Sequence, residues 1–411
     1  MPPTNPSEAP ERPTGDSATQ PDEAHKPASV NVAGHEMTLF AESPPLIEAM
    51  VADILAARVR VWMESYIVSD DAAGQAVLAA MVDRAKAGVE VRLMVDALGS
   101  FSAPNSLFAP LLAAGGQVHF FHALGQTLRG PRFLQTFNQR NHRKLLIVDD
   151  TIAYFGGMNV VDQSGIHSTA DAKARHLPAS AGWRDVHVRM VGPRQRELAA
   201  TCDWLWRRVH HLPNGKRPAW PVKQMLATRQ DAIFFFDSRP AFKRRRPQRV
   251  FVPLIRQAER EITLCMAYFL PTGSVLRELI RARRRGVRVR VIVPEQSDVK
   301  LVQWATRHFY EFLLKRGVRI YERQDRMLHS KAMVIDGQWS VIGSCNLDPR
   351  SLRLNLEFFA AIYSKEMAAA LDQICRDEIR ESVPVRAADV RSRNCGQRLR
   401  DRLAWAFRKW L

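Results

Sequence analysis

Two stretches of the chain carry the same six-position pattern at the same spacing. The first holds His142, Lys144, Asp149, Gly156, Gly157 and Asn159, in the pattern His-x-Lys-x4-Asp-x6-Gly-[Gly/Ser]-x-Asn. The second repeats it 187 residues later with His329, Lys331, Asp336, Gly343, Ser344 and Asn346. A single His-x-Lys says little, because short motifs arise often by chance; a six-position match made twice does not. A phosphodiester is anionic, and more negative charge develops as its phosphorus is substituted. Two lysines and the amides of Asn159 and Asn346, aimed at the non-bridging oxygens, would stabilise that charge. One neutral imidazole can attack phosphorus. The other, protonated, can give its proton to the leaving oxygen and later activate the acceptor. The pattern predicts phosphoryl transfer at a site to which both copies contribute.

Local geometry supports this. His142-Arg-Lys144-LLIV and His329-Ser-Lys331-AMVI read as strands. Residues i and i+2 of a strand share a face, so each His and its Lys project together. Asp149 and Asp336 have the opposite parity and fall in turns. They belong to the repeated catalytic pattern, but their parity predicts that they brace it rather than touch substrate. Gly156–Gly157 and Gly343–Ser344 end the return strand, where small residues allow close backbone approach. Each imidazole needs a carboxylate to fix its tautomer. Asp185 in WRDVHVR and Glu357 in SLRLNLE stand at corresponding places. His210 and His211 have no Cys or His partner at zinc spacing, so no metal site is expected.

The elements that position these residues also come twice. In the first copy, MTLFA (37–41) reads as a strand, 46–59 as a helix, 61–68 as a strand, 76–88 as a helix and 89–97 as a strand. In the second, strands at 232–237, 262–270 and 287–294 alternate with helices at 250–261 and 275–286. A further strand-like stretch, 118–122 and 318–322, precedes each motif, and Tyr66 and Tyr268 occupy matching strand positions. Alternating strand and helix argues for α/β layering with mixed or parallel sheets. Residues 1–34 are rich in Pro, Ser, Thr and acidic residues and are expected to be disordered. The remainder divides into a first half (35–212), a linker (213–230), a second half (231–385) and a C-terminal tail (386–411).

The 411 residues are 46% hydrophobic and 25% charged, ordinary for a globular chain, but the net charge is +18. That charge predicts a polyanionic partner, either nucleic acid or an anionic membrane surface. The five cysteines (202, 265, 345, 375 and 395) are widely spaced with no CxxC, which reads as reduced thiols. The N-terminus has no apolar core of a signal peptide, and no run of about 18 apolar residues occurs, so no transmembrane helix is expected. In the tail GQRLRDRLAWAFRKWL, Leu399, Leu403 and Phe407 fall at i, i+4 and i+8 opposite several arginines. A basic helix with such a face lies in a membrane interface, with Trp405, Phe407 and Trp410 as contacts; the alternative is a helix packed on its own domain.

The paired motifs resemble the HKD motifs of the phospholipase D superfamily, over nearly all of residues 36–411. Within it, Asn138-Gln-Arg140-Asn-His142-Arg-Lys144, Trp183-Arg-Asp185, and the run from Gly343-Ser344 through Asp348, Arg350 and Ser351 to Asn355-Leu-Glu357 are similar to bacterial cardiolipin synthases. The stretch 163–182 looks like an insertion. The resemblance implies two pseudo-symmetric α/β/α halves with one active site at their interface. It implies a metal-independent, cofactor-free reaction through phosphohistidine, with the first-motif His142 as nucleophile and His329 as acid. It further implies transfer of a phosphatidyl group, from phosphatidylglycerol or phosphatidylethanolamine, to phosphatidylglycerol. Members of that group often carry two N-terminal transmembrane helices. This chain shows none and looks like a shorter, peripheral type at the cytoplasmic face of the membrane. The rival readings are a nuclease or phospholipid hydrolase of the same superfamily and, more distantly, a non-catalytic basic binding module. The Arg350–Glu357 context and the Trp-containing tail favour lipid over nucleic acid.

Overall fold

The structure is a computed structural model, and it describes residues 27–122, 139–162, 182–213, 215, 218–239, 246–271 and 273–407. Much of residues 1–34, the stretch 163–181, Asn138 and Trp410 therefore lie outside the described residues.

Two eight-stranded mixed sheets carry the fold. The first contains β1 (Ala28–Val32), β2 (His35–Phe40), β3 (Arg60–Ser65), β4 (Glu90–Asp96), β5 (Gln117–Phe121), β6 (Leu145–Val148), β7 (Ile152–Gly156) and β8 (His187–Val191). Its order is β1-β2-β8-β7-β6-β3-β4-β5. The second contains β9 (Ala232–Asp237), β10 (Glu261–Met266), β11 (Arg288–Pro294), β12 (Arg319–Arg323), β13 (Lys331–Ile335), β14 (Trp339–Gly343), β15 (Phe358–Tyr363) and β16 (Ser382–Pro384). Its order is β16-β12-β11-β10-β13-β14-β15-β9. Apart from the edge strands β1 and β16, the two orders superimpose. The β3-β4-β5 and β10-β11-β12 blocks are parallel. Parallel neighbours need crossovers. Helices α1 (Ser43–Ala56) and α2 (Ala72–Lys86) serve the first half. Helix α3 (Gln195–Val209) closes the first half, and in the second half α4 (Gln248–Gln257) and α5 (Gly273–Arg284) match α1 and α2. The β6-β7 and β13-β14 hairpins are antiparallel and lie mid-sheet.

The apolar residues sort into layers. Met81, Leu93 and Leu146 build a core between the first sheet and α1 and α2. Phe251, Leu279 and Ile335 build its counterpart outside the second sheet. A third core lies between the halves and mixes residues of both, including Phe155, Phe235 and Phe358 with ring centroids 5.8–6.0 Å apart. Helix α3 and two helices absent from the sequence reading, α6 (Lys300–Leu314) and α7 (Lys365–Arg380), complete the packing.

Three expectations need correction. Residues 28–32 are strand, not disordered: β1 pairs with β2, and Val32 is fully buried in the shared core. The linker 213–230 contains a helix, Val222–Ala227, whose Met225 enters the second-half core. Asp149 and Asp336, counted with the catalytic pattern, do not lie at its histidines. Both occupy hairpin turns at positive φ, +50° and +55°. The Asp149 carboxylate accepts the N–H groups of Arg58, Val59 and Arg60 at 2.8–3.1 Å. Asp336 accepts those of Glu259, Arg260 and Glu261, each at 2.8 Å. Each aspartate ties the motif hairpin to the start of the neighbouring strand.

Removing either clamp orphans three backbone donors. Asp149→Ala and Asp336→Ala are each expected to lower the unfolding free energy by about 1–3 kcal/mol, read from denaturant midpoints. A change within about 0.5 kcal/mol, the range of an ordinary surface substitution, would contradict the assigned role.

Candidate active site

Each motif histidine is held in place by the opposite half of the molecule. Asn141 forms an isolated parallel bridge with Leu356, and Arg184 forms one with Leu328. The His142 N–H donates to the Leu356 carbonyl at 2.9 Å, and the Leu356 N–H to the Arg140 carbonyl at 2.8 Å. The His329 N–H donates to the Arg184 carbonyl at 2.7 Å, and the Arg184 N–H to the Met327 carbonyl at 2.8 Å. Leu356 and Arg184 immediately precede the two carboxylates named from the sequence. The bridges therefore cross the partners over. Nδ1 of His142, from the first half, lies 3.0 Å from Oε2 of Glu357 in the second. Nδ1 of His329, from the second half, lies 2.7 Å from Oδ2 of Asp185 in the first. With Nδ1 engaged on both rings, Nε2 is the nitrogen left for a ligand.

Buried ion pairs fix the crossing. Arg184 donates to Glu378 at 2.7 Å and to Glu42 at 2.6 Å, while Arg323 and Arg326 reach the same two carboxylates from the second half. On the other side Arg143 pairs with Glu64 at 2.7 Å, and the Asn141 N–H donates to Asp96 at 2.9 Å. Charges taken this far from water are tolerated only when paired and hydrogen-bonded.

The lysines share a conformation. Lys144 Nζ donates to the carbonyl of His142 at 2.8 Å, and Lys331 Nζ donates to that of His329. Lys331 also lies 3.5 Å from Asp185. Tyr66 meets the edge of His142 at 5.1 Å between ring centroids, and Tyr268 meets His329 at 6.4 Å. Asn159 and Asn346 are buried nearby in sequence terms; the Asn159 carbonyl oxygen accepts the Ile67 N–H at 3.3 Å, and that of Asn346 has no partner among the described residues.

The two pairs differ electrostatically. Glu357 is fully buried, and that burial pushes its carboxyl up to about 7, against the pull of Lys144 and hydrogen bonds from Ser344 and Asn355. Asp185 is also buried, but Lys331 and His329 hold it below the ordinary carboxylate range. Burial takes Lys144 down to about 7 despite Glu357. Burial and the two lysines take His142 well below its usual value. Burial and Lys331 also lower His329, with Asp185 opposing them. At neutral pH His142 is thus a neutral imidazole; His329 is lowered on balance as well, but unlike His142 it faces an ionised carboxylate that opposes the shift. Two cations, two acids and two imidazoles in one dry cluster suit substitution at an anionic phosphorus.

The residue at the third-last motif position differs for a reason. Ser344 donates to Glu357 at 2.5 Å, so motif two steadies the partner of motif one's histidine. At Gly157 a Cβ would stand 2.2 Å from Oδ1 of Asp185. Only glycine leaves room for the carboxylate that orients His329. The sequence paired neither acid with a histidine, and it gave Trp183 no role at the ring; in the structure Trp183 lies 5.2 Å from the His329 ring.

The tail forms helix α8 (Cys395–Ala406), packed on α6. Trp405 is not an exposed membrane contact: it stacks on Phe309 at 4.9 Å. Ala404 and Asp401 are buried on the same side. Phe407, Leu403 and Leu399 remain exposed. Among the described residues no helix is long and apolar enough to cross a membrane.

The family model described as "Cardiolipin synthase, PLD-like domain" matches residues 50–172 and 251–378. Cardiolipin synthase A of Serratia proteamaculans is 31% identical over 386 residues, covering 92% of this chain and 76% of the relative. Cardiolipin synthase A of Escherichia coli matches with the same identity and coverage. The solved structure of phosphatidylserine synthase from Haemophilus influenzae aligns with a TM-score of 0.65 over 91% of this chain and 95% of its own, at 14% identity. Polyphosphate kinase from Porphyromonas gingivalis aligns at 0.56, over 86% of this chain and 49% of that one, at 13% identity. The last two show a common fold.

Gly157→Ala is expected to displace Asp185 and lower turnover at least tenfold, roughly the lower end for a mis-set imidazole, while the melting temperature falls little. Unchanged turnover would show that Asp185 does not need that space. A second expectation concerns pH. His187 in β8 is buried beside Gly156, and burial takes it down to about 3. A histidine that stays neutral in the fold is protonated only in the unfolded chain between about pH 6.5 and its folded value, so it costs stability as pH falls through that window. Between pH 7.5 and 5 that amounts to about 2 kcal/mol. His187→Phe should flatten the pH dependence of the unfolding free energy by this much; an unchanged slope would contradict it.

Proposed function

The chain belongs to the cardiolipin synthase family of phospholipase D-like proteins and is a phosphatidyltransferase; we propose that it joins two phospholipids through a phosphohistidine on His142. The crossed His–carboxylate pairs carry this reading. Nε2 of neutral His142 attacks the phosphorus of a phosphatidylglycerol donor. The bond from phosphorus to the headgroup glycerol oxygen breaks, and His329 gives that oxygen its proton. Glycerol leaves. A headgroup hydroxyl of a second phosphatidylglycerol takes its place, His329 removes its proton, and the oxygen attacks phosphorus. The P–N bond breaks and cardiolipin forms. Lys144, Lys331, Asn159 and Asn346 hold the non-bridging oxygens as charge builds. Glu357 and Asp185 keep the two rings in register, and the lower-lying Asp185 carboxyl steadies imidazolium on His329. Phosphatidylethanolamine can serve as donor by the same steps, with ethanolamine leaving. The protein works as a peripheral enzyme at the cytoplasmic face of the membrane. Water as acceptor would make it a phospholipid hydrolase, and a nucleic-acid phosphodiester as donor would make it a nuclease.

Vesicles of phosphatidylglycerol incubated with the purified chain should yield cardiolipin and glycerol, and chelator should leave the rate unchanged. His142→Ala and His329→Ala should each lower turnover at least about a hundredfold. Enzyme quenched in alkaline denaturant, where a phosphorus–nitrogen bond survives, should carry the phosphatidyl group on His142. Phosphatidic acid as the main product would instead indicate hydrolysis. Oligonucleotide cleavage without any lipid product would indicate the nuclease, and an adduct on His329 would exchange the two roles.

A further inference from the structure

Exposed apolar side chains gather where the corresponding loops of the two halves border the site. The loop after β4 carries Leu98 and Phe101, the latter 72% exposed. It wraps Tyr66: Ser100 Oγ donates to the Tyr66 carbonyl at 3.3 Å, and a Cβ on Gly99 would meet the Tyr66 ring at 2.9 Å. Tyr66 in turn packs on His142. The loop after β11 carries Val299 and, one residue into α6, Leu301, which is 47% exposed. It holds Tyr268, whose hydroxyl donates to Asp298 at 2.8 Å and whose ring faces His329. Helix α8 adds a third element. Its buried Ala404 packs with Val302, Ala305 and Leu270, against Tyr268. Its end therefore lies beside the start of α6, with Leu403 and Phe407 53% and 60% exposed.

A large exposed Phe or Leu is unremarkable singly; several drawn from three separate elements around one site form a patch that marks an interaction surface. Basic residues alternate with them: Lys300 stands between Val299 and Leu301, and exposed Arg402 adjoins Leu403. Apolar tips interleaved with cations match the interface of an anionic bilayer, where acyl chains meet phosphate. Nucleic acid would reward the cations and leave the aliphatic tips in water.

We propose that Leu98, Phe101, Val299, Leu301, Leu403 and Phe407 form a membrane-seating rim that sets the Tyr66 and Tyr268 side of the site against an anionic phospholipid surface. It rests on the phospholipid reading above. The rim explains how a chain with no spanning helix among its described residues reaches a lipid phosphate without extracting the lipid. It also divides the tail helix: one face, through Ala404 and Trp405, belongs to the fold, and the other belongs to the rim.

The test uses full-length protein and vesicles of equal parts phosphatidylglycerol and phosphatidylcholine. Phe101→Ser combined with Leu301→Ser should lower vesicle partitioning at least about tenfold, given the apolar area withdrawn. Turnover of a monomeric short-chain phosphatidylglycerol should change less than twofold. Partitioning that persists, or a parallel loss of soluble turnover, overturns the rim; so does a loss confined to oligonucleotide binding. Should the double variant fail to fold, Phe101→Trp and Leu301→Trp, made singly in a chain assayed against the parent's own tryptophan signal, report position directly. Brominated lipid should quench each added indole, and an unquenched indole overturns the proposal. Vesicle partitioning needs no turnover, so the rim and the reaction fail separately: a parent chain that seats on vesicles through the rim yet forms no phosphatidyl product refutes the reaction alone.

Discussion

Two short backbone bridges, Asn141 to Leu356 and Arg184 to Leu328, govern the chemistry of the whole molecule. Each is a single pair of strand-like hydrogen bonds, yet each fixes which carboxylate meets which imidazole. An alternative in which every half supplied its own histidine and its own acid would give two self-sufficient sites. Crossing the partners yields one site that neither half contains. The mixed core around Phe155, Phe235 and Phe358 supplies the apolar drive for docking, and the Arg184–Glu378–Arg323 and Glu42–Arg326 ion pairs set its register. Buried pairs contribute little net stability but are costly to break, which suits a device for register more than for strength.

Pseudo-symmetry in the backbone is accompanied by asymmetry in the charges. Ser344 and Asn355 hydrogen-bond to Glu357, whereas Lys331 stands beside Asp185. The same chain geometry thus presents one imidazole to a carboxyl raised by burial and the other to a carboxyl held ionised. On the proposed mechanism, two chemically distinct roles, attack and proton transfer, come from one duplicated plan by changing the immediate neighbours.

The repeated six-residue pattern made the histidines, the lysines and the pseudo-twofold α/β plan legible before any coordinates. Strand parity also separated Asp149 and Asp336 from the ligand-facing residues, and their carboxylates indeed sit on backbone amides. The crossing was not legible, because two equivalent acids and two equivalent histidines can be paired either way and spacing along the chain does not choose. Trp405 misled for a related reason. The 3.6-residue period places it within a broad apolar arc, but only contact with Phe309 reveals that the arc is shared between α6 and the surface. Strand β1 escaped notice because its short run of Val30 and Val32 follows a long polar segment and gains its burial from β2 and the far half.

The crossed pairing also orders events during synthesis. The chain emerges from the ribosome N-terminus first, and domains fold as they appear. His142 leaves early, but the acid that sets its tautomer lies 215 residues further on. His329 and Asp185 are separated by 144 residues. A nascent first half can therefore complete its sheet and outer core while holding no oriented imidazole. On the proposed mechanism, reactivity toward phosphorus waits until the last strands arrive, because a stalled or truncated product lacks the partner that sets each ring.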